Sequence, residues 1–192
     1  MILVVCEGNV CRSVLAAGLL EASKPLPTNV MEVISRGTHA LVDHAADPTI
    51  ARIGKRLGVD LSAHRAKQLT VEDLSRAKLV LVATREIRSA CVRRYPPSIK
   101  SIFTIRQLAR IIDHGQYGDV EDGEQLNEFV RAVHRRRLSL GTPHTADDIP
   151  DPFGQSRRAM ESSAKLTTMA IYSIARQFAG SPVEWVPVTT EL

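Results

Sequence analysis

Apolar positions recur along this chain in two alternating rhythms, one of strands and one of helices. Residues 1–5 form an unbroken apolar run, the pattern of a strand buried on both faces. Cys6 closes the run and Gly8-Asn9 breaks it. Val14, Leu15, Gly18, Leu19 and Ala22 then recur at helical spacing, predicting a helix from about 12 to 23 that Lys24-Pro25-Leu26-Pro27 stops. A second strand is expected over 30–35, ending at Gly37, and Asp47-Pro48 opens a helix with Ile50, Ile53 and Leu57 as its buried stripe and Gly58 as its stop. Thr70 to Asp73 has the form of a capping box. Residues 79–83 predict a third strand, 84–94 a helix broken by Tyr95-Pro96-Pro97, and 98–103 a short fourth strand.

Beyond Thr104 the rhythm is helical throughout. Leu108, Ile111 and Ile112 mark one helix, and Leu126, Phe129, Val130 and Val133 a second. Residues 141–150 read as a polar loop. Met160, Ala164, Ile171, Ile174 and Phe178 define a long closing helix. Strands alternating with helices predict an α/β fold: a doubly wound, parallel, four-stranded sheet with helices on both faces. The expected organisation is one domain over 1–180, with an insertion or enlarged helical segment at about 105–148, and a tail over 181–192. In such sheets ligands lie beyond the carboxyl ends of the strands, where Cys6 stands.

Composition narrows the class. At 192 residues the chain is long enough for a substantial core, and no apolar run is long enough to span a membrane or form a signal peptide. Three cysteines without a paired framework suit a reducing compartment, so a cytoplasmic protein is expected. A net charge of +4 is compatible with anionic substrates, while 4% aromatic residues argue against base-stacking nucleic-acid binding. The run His134-Arg135-Arg136-Arg137 is expected to be a solvated helix face.

The chemistry concentrates between the first strand and the first helix. A short loop running into a helix N-terminus turns backbone N–H groups into one concavity and puts the positive end of the helix dipole behind it. Cys6 stands at the entrance, where that field favours a thiolate nucleophile. Arg12 can offer its planar fork to two phosphate oxygens at once. Nucleophile, amide cradle and clamp together describe phosphoryl transfer to cysteine. Asn9 suits a left-handed position in the loop.

Residues 6–13, of the form C-x-G-N-x-C-R-S, resemble the signature loop of low-molecular-weight protein tyrosine phosphatases. Ser35-Arg36-Gly37-Thr38, the segment 60–69 carrying His64, and Asp151-Pro152-Phe153 resemble that family too, in the right order; only about 105–148 lies outside the likeness. The resemblance implies Cys6 as nucleophile, Arg12 as clamp and Asp151 as general acid, with Asp147 and Asp148 as nearby competitors for that last role. It implies a phosphate pocket built from Glu7, Gly8, Asn9, Val10, Cys11 and Ser13, walled by Leu41 and Phe153. It implies a supporting network of Asn9, Ser13, Ser35 and His64, in which Ser13 can also donate to the Cys6 sulfur. A reversible Cys6–Cys11 disulfide is implied as well; the competing expectation is that Cys11 is an inert small residue under the loop. No cofactor and no metal is implied.

The chain departs from the family pattern at Val14, Glu7, Leu41 and Gly154. Val14 replaces a common proline, and Glu7 puts a carboxylate on the rim. Leu41 and Gly154 stand where aromatics often line the slot, which thins its wall. The expected function is a phosphomonoesterase, foremost a protein tyrosine phosphatase, acting on a phosphorylated protein or a small phosphate ester as a monomer or weak homo-oligomer. Neither nucleic acid nor membrane insertion is expected. The alternatives are an arsenate reductase using the same loop with a disulfide relay, for which only Cys91 is left, a monoesterase for a non-protein substrate, and a phosphate-binding regulatory module.

Overall fold

A computed structural model of the chain describes residues 1–23, 32–140 and 145–178. The expected stop at Lys24-Pro25-Leu26-Pro27, residues 30 and 31 of the second strand, the start of the 141–150 loop and the tail lie outside the described residues. The elements run β1 (Ile2–Cys6), α1 (Arg12–Ala22), β2 (Val33–Gly37), α2 (Pro48–Arg56), α3 (Val71–Arg76), β3 (Leu79–Val82), α4 (Arg85–Arg94), β4 (Ile102–Thr104), α5 (Ile105–Asp113), α6 (Gly123–Ser139) and α7 (Arg157–Ala175).

The four strands form one parallel sheet in the order β2-β1-β3-β4. Burial on both faces explains why β1 and β3 are apolar at every position. Ile2, Val4, Leu79 and Leu81 point into a core shared with α1, α5 and α7. Leu3, Val5, Val80 and Val82 point the other way, onto Leu74 of α3 and Ile87 and Cys91 of α4. Each such aliphatic side chain contributes roughly 1.5–3 kcal/mol on full burial, so this central pair carries a large share of the stability. β1 lies between β2 and β3, with Cys6 in register with Gly37 at the carboxyl end. The topology therefore puts the loop after β1 at the switch point of the sheet.

The helix starts follow their caps. The Asp47 carboxylate accepts from the amides of Thr49 (2.8 Å) and Ile50 (3.3 Å), ahead of Pro48 in the first turn. Thr70 and Asp73 form the reciprocal capping box. The fourth strand is shorter than its apolar pattern predicts. Pro96 and Pro97, which have no N–H to give a ladder, open a 3₁₀ turn over Pro96–Lys100, and pairing begins only where the Val80 amide meets the Ser101 carbonyl.

The basic run near the end of α6 is not the solvated face expected of it. Arg135 and Arg136 are exposed, but Arg137 is buried. Its guanidinium stacks 4.4 Å from the centre of the Phe103 ring and donates to the carbonyls of Ile102 (2.6 Å) and Ile99 (2.7 Å) and to Nδ1 of His134. Burial lowers the Arg137 pKa to about 10. Arg137 thus pins α6 to the 3₁₀ turn and β4. Within the stretch 105–148, α5 packs against α7 and buries Ile105, Leu108 and Ile111 in the larger core, and α6 packs on α5 and adds Leu126, Phe129, Val130 and Val133 to it.

Candidate active site

The loop between β1 and α1 is held from below by one asparagine. Asn9 adopts a left-handed backbone (φ 56°) and is completely buried. Its amide nitrogen donates to the hydroxyls of Ser13 (3.0 Å) and Ser35 (3.0 Å), and its side-chain oxygen accepts from the Lys67 amide (2.8 Å). Its backbone carbonyl meets Nε2 of His64 at 2.8 Å. A carbonyl can only accept, so Nε2 carries the proton. Burial lowers the His64 pKa, only partly offset by the Asn9 hydrogen bond. The neutral Nε2–H tautomer is therefore the form that supports the loop.

This arrangement orients the chemistry above it. Cys6 Sγ lies 3.0 Å from Ser13 Oγ and 3.3 Å from the Asn9 amide nitrogen. Once Cys6 is a thiolate it can only accept, and the Ser13 hydroxyl and the Asn9 backbone amide then both donate to it. Gly37 fixes the loop from the side. Its amide donates to Lys67 O, its carbonyl accepts from Leu69 N, and Thr38 N reaches Cys6 O at 3.0 Å. A Cβ on Gly37 would lie 2.4 Å from Glu7 O, so only glycine fits this close backbone approach.

The opposite wall is the acid loop. Arg12, the first residue of α1 and 3% exposed, donates through Nη1 to Ile149 O (3.1 Å) and pairs through Nη2 with Oδ2 of Asp151. Its Nε is buried without a partner. Asp151 also accepts from the Phe153 amide (3.1 Å). Its two competitors are occupied elsewhere. Asp147 is buried and held by two bonds from Arg110 (2.9 and 3.2 Å). Asp148 binds the Arg85 side chain twice (3.0 Å each) and caps α4 through the Arg85 amide (2.7 Å). Ile149 N donates to Ala83 O at the end of β3 (2.9 Å), Arg106 reaches Asp148 O (3.3 Å), and Ser163 Oγ donates to Pro150 O (3.1 Å). Of the three carboxylates only Asp151 enters the slot.

That slot has a volume of about 300 Å³ and is lined by Cys6, Glu7, Gly8, Val10, Cys11, Arg12, Leu41, Asp151 and Phe153, all singled out by the sequence. Asn9 and Ser13, expected in the pocket, stand behind the loop rather than in the slot wall, because their side chains are consumed by the network beneath it. His39 and Gln155 line the slot unforeseen. His39 lies just past the Gly37 approach, which only the fold reveals, and nothing in the sequence marks Gln155. The Leu41 side chain rests against Gly8, and Phe153 is exposed at the mouth. Burial raises the Cys11 thiol to about 12, with the Asp47 carboxylate adding to the effect, and raises Cys91 of α4 to about 11. Among the described residues no group of three or more His, Cys, Asp or Glu side chains could hold a metal ion.

A family model described as low molecular weight phosphotyrosine protein phosphatase matches residues 1–134. This chain belongs to that family. It is 40% identical over 134 residues, covering 69% of this chain and 85% of the relative, to a probable low molecular weight protein-tyrosine-phosphatase, EpsP, of Ralstonia nicotianae. Among solved structures it resembles the tyrosine phosphatase AmsI of Erwinia amylovora (TM-score 0.64, 25% identity, 95% of this chain and 92% of that one). It also resembles the YwlE arginine phosphatase of Geobacillus stearothermophilus (TM-score 0.67, 27% identity, 93% and 92%). The match to the phosphatase family model runs through α5 into α6 and ends before the acid loop. The case for Asp151 in this phosphatase therefore rests on its contact with Arg12.

Proposed function

We propose that this phosphatase hydrolyses phosphotyrosine in proteins through a phosphocysteine on Cys6. One observation carries the reading: the Cys6 sulfur, the Arg12 guanidinium and the Asp151 carboxylate converge on one slot. The Cys6 thiolate attacks phosphorus in line, an S–P bond forms and the ester P–O bond breaks. Arg12 releases Asp151 and turns its fork, with the unpartnered Nε, to the phosphoryl oxygens, whose charge the loop amides share. Asp151, freed from Arg12 and protonated from solvent, gives that proton to the departing tyrosyl oxygen, then takes one back from the water that splits the S–P bond and frees phosphate and Cys6. Asn9, Ser13, Ser35 and His64 are positioning residues. Burial and a raised pKa oppose thiolate formation at Cys11, so the Cys6–Cys11 disulfide would form slowly, after Cys6 itself is oxidised. Cys91 is fully buried on α4, a poor start for the relay an arsenate reductase needs. Among the described residues no helix is long and apolar enough to cross a membrane; we expect a cytoplasmic monomer or weak homo-oligomer.

Phosphoarginine is the second reading. One solved relative is an arginine phosphatase, and Glu7 stands at the mouth, where a carboxylate would pair with a guanidinium. Steady-state rates of Cys6→Ser and Asp151→Asn on phosphotyrosine, phosphoarginine and p-nitrophenyl phosphate test the proposal. Cys6→Ser should bind vanadate without turnover. Asp151→Asn should lose roughly 10²–10⁴-fold on phosphotyrosine and less on p-nitrophenyl phosphate, whose phenolate leaves readily without a proton. A wild-type preference for phosphoarginine would move the substrate; an active Ser variant would end the covalent mechanism.

A further inference from the structure

Next to the slot lies a groove of about 470 Å³ between α2 and the start of α7, lined by Thr49, Arg52, Lys55, Arg56, Arg157 and Glu161. Four cations face one carboxylate, and that carboxylate, Glu161, is held by Arg157 at 2.8 Å. Among the described residues no carboxylate is within ion-pair distance of Arg52, Lys55 or Arg56. Among the described residues, the one side-chain hydrogen bond of these three runs from Arg52 to Thr49 Oγ1 (3.1 Å).

Helix stability explains only part of the cluster: Lys55 and Arg56 sit in the last turn of α2, where the macrodipole favours cations. Arg52, Lys55 and Arg56 stand three and four apart on one exposed face of α2, and like charges at those spacings repel. The sequence of α2 holds no acidic residue to relieve them. Its other face is fully used, with Ile50, Ile53 and Gly54 buried. Asp60 lies near enough to Lys55 to feel its charge but makes no ion-pair contact with it, so the three cations still form a surface that favours an anionic partner.

The groove is tied to the catalytic slot at both ends. Asp47, the cap of α2, donates its amide to Val10 O of the nucleophile loop (2.9 Å). On the other side, Arg157 follows Asp151, Phe153 and Gln155 along one short segment, and those three line the slot. A peptide leaving the slot over Phe153 and Gln155 meets the groove within a few residues, at about 3.3 Å per extended residue. Glu7 at the mouth repels an acidic neighbour directly beside the phosphorylated residue. The two features together favour a substrate whose negative charge is set back along the chain.

Resting on the phosphatase reading above, we propose that the α2–α7 groove is an exosite for an acidic segment of the phosphoprotein substrate, several residues from the phosphorylated side chain. Two measurements on the full chain test it. The first compares kcat/KM for phosphotyrosine peptides carrying three Asp or Glu residues next to, four or eight positions from the phosphotyrosine, with p-nitrophenyl phosphate as a substrate too small to reach the groove. A set-back acidic peptide should exceed its neutral counterpart roughly tenfold at low salt, and the advantage should fade near about 0.5 M salt, where exposed charges are screened within a few ångströms. The triple variant Arg52→Gln, Lys55→Gln, Arg56→Gln should abolish the preference and leave p-nitrophenyl phosphate turnover unchanged. The second measurement is fluorescence anisotropy with the acidic peptide lacking phosphate, which reads the groove even if no phosphotyrosine is turned over. Binding should be salt-sensitive and absent in the triple variant. Equal use of acidic and neutral peptides, a preference surviving in the triple variant, or displacement of the peptide more readily by single-stranded RNA than by an excess of itself would overturn the proposal.

Discussion

At the scale of single residues, the site rests on two backbone positions that side-chain chemistry alone does not reveal. Asn9 was legible, since a Gly-Asn break after an apolar run points to a left-handed turn, and the φ of 56° bears this out. Gly37 was read only as the end of a strand. Its true constraint, a Cβ position 2.4 Å from Glu7 O and 2.9 Å from the Ala40 Cα, arises from chain segments that meet only in the fold. Both obstructing atoms are backbone, so Gly37→Ala must displace the nucleophile loop. We predict a loss of about 1–3 kcal/mol in urea unfolding and a fall in kcat of up to roughly 10²-fold, the effect of a reacting group moved by about 1 Å. Gly118→Ala, where a Cβ meets nothing within 4 Å, is the control and should leave both unchanged.

At the scale of elements, the acid loop is positioned by its neighbours rather than by its own sequence. Of three aspartates within five residues the family resemblance picks Asp151, which Pro152-Phe153 follows, without giving the physical reason. Arg85 at the start of α4 and Arg110 on α5 distinguish them, each taking one carboxylate and leaving Asp151 to Arg12. Such partners, 37 and 63 positions away, cannot be read from local pattern. Arg110→Met should therefore affect catalysis without touching the slot. It leaves the buried Asp147 carboxylate without its bidentate partner, and we expect a stability loss of about 1–3 kcal/mol, below the value for a fully buried pair because Arg110 is partly exposed. Its rate loss should be larger on phosphotyrosine than on p-nitrophenyl phosphate, as for Asp151→Asn but smaller. A loss equal on both substrates would mean that Arg110 supports the fold without aiming the acid. The burial of Arg137 escaped the sequence for the same reason: its carbonyl partners and Phe103 come from other elements.

At the scale of the whole molecule, the parallel four-stranded sheet was the most legible feature, because parallel strands buried on two faces leave continuous apolar runs; the order β2-β1-β3-β4 came only with the fold. The strand ends were less legible: β2 begins at Val33, later than expected, β3 stops at Val82, and β4 was overdrawn most, its apolar residues beginning inside a proline-opened turn. Acid stability follows from two histidines. Burial lowers the pKa of His64 and of His134, the latter helped by neighbouring Arg137, Lys100 and Arg88. A depressed pKa means that the unfolded chain takes up the proton first. Their contribution to stability is complete above the ordinary histidine value of 6.5 and is lost as pH falls from there through the depressed values. Urea midpoints should drop below about pH 6.5, and His64→Gln should flatten that slope. An unchanged slope would remove His64 from the acid response.

Ile149 has no reactive group, yet its backbone N–H and C=O join the two halves of the molecule's work. Its N–H belongs to the end of β3 through Ala83, and its carbonyl belongs to Arg12. Whatever takes hold of the guanidinium is felt one peptide bond from the sheet. The exchange rate of that single amide proton is consequently a built-in meter, recording from the inert side of the site how often the loop lets go.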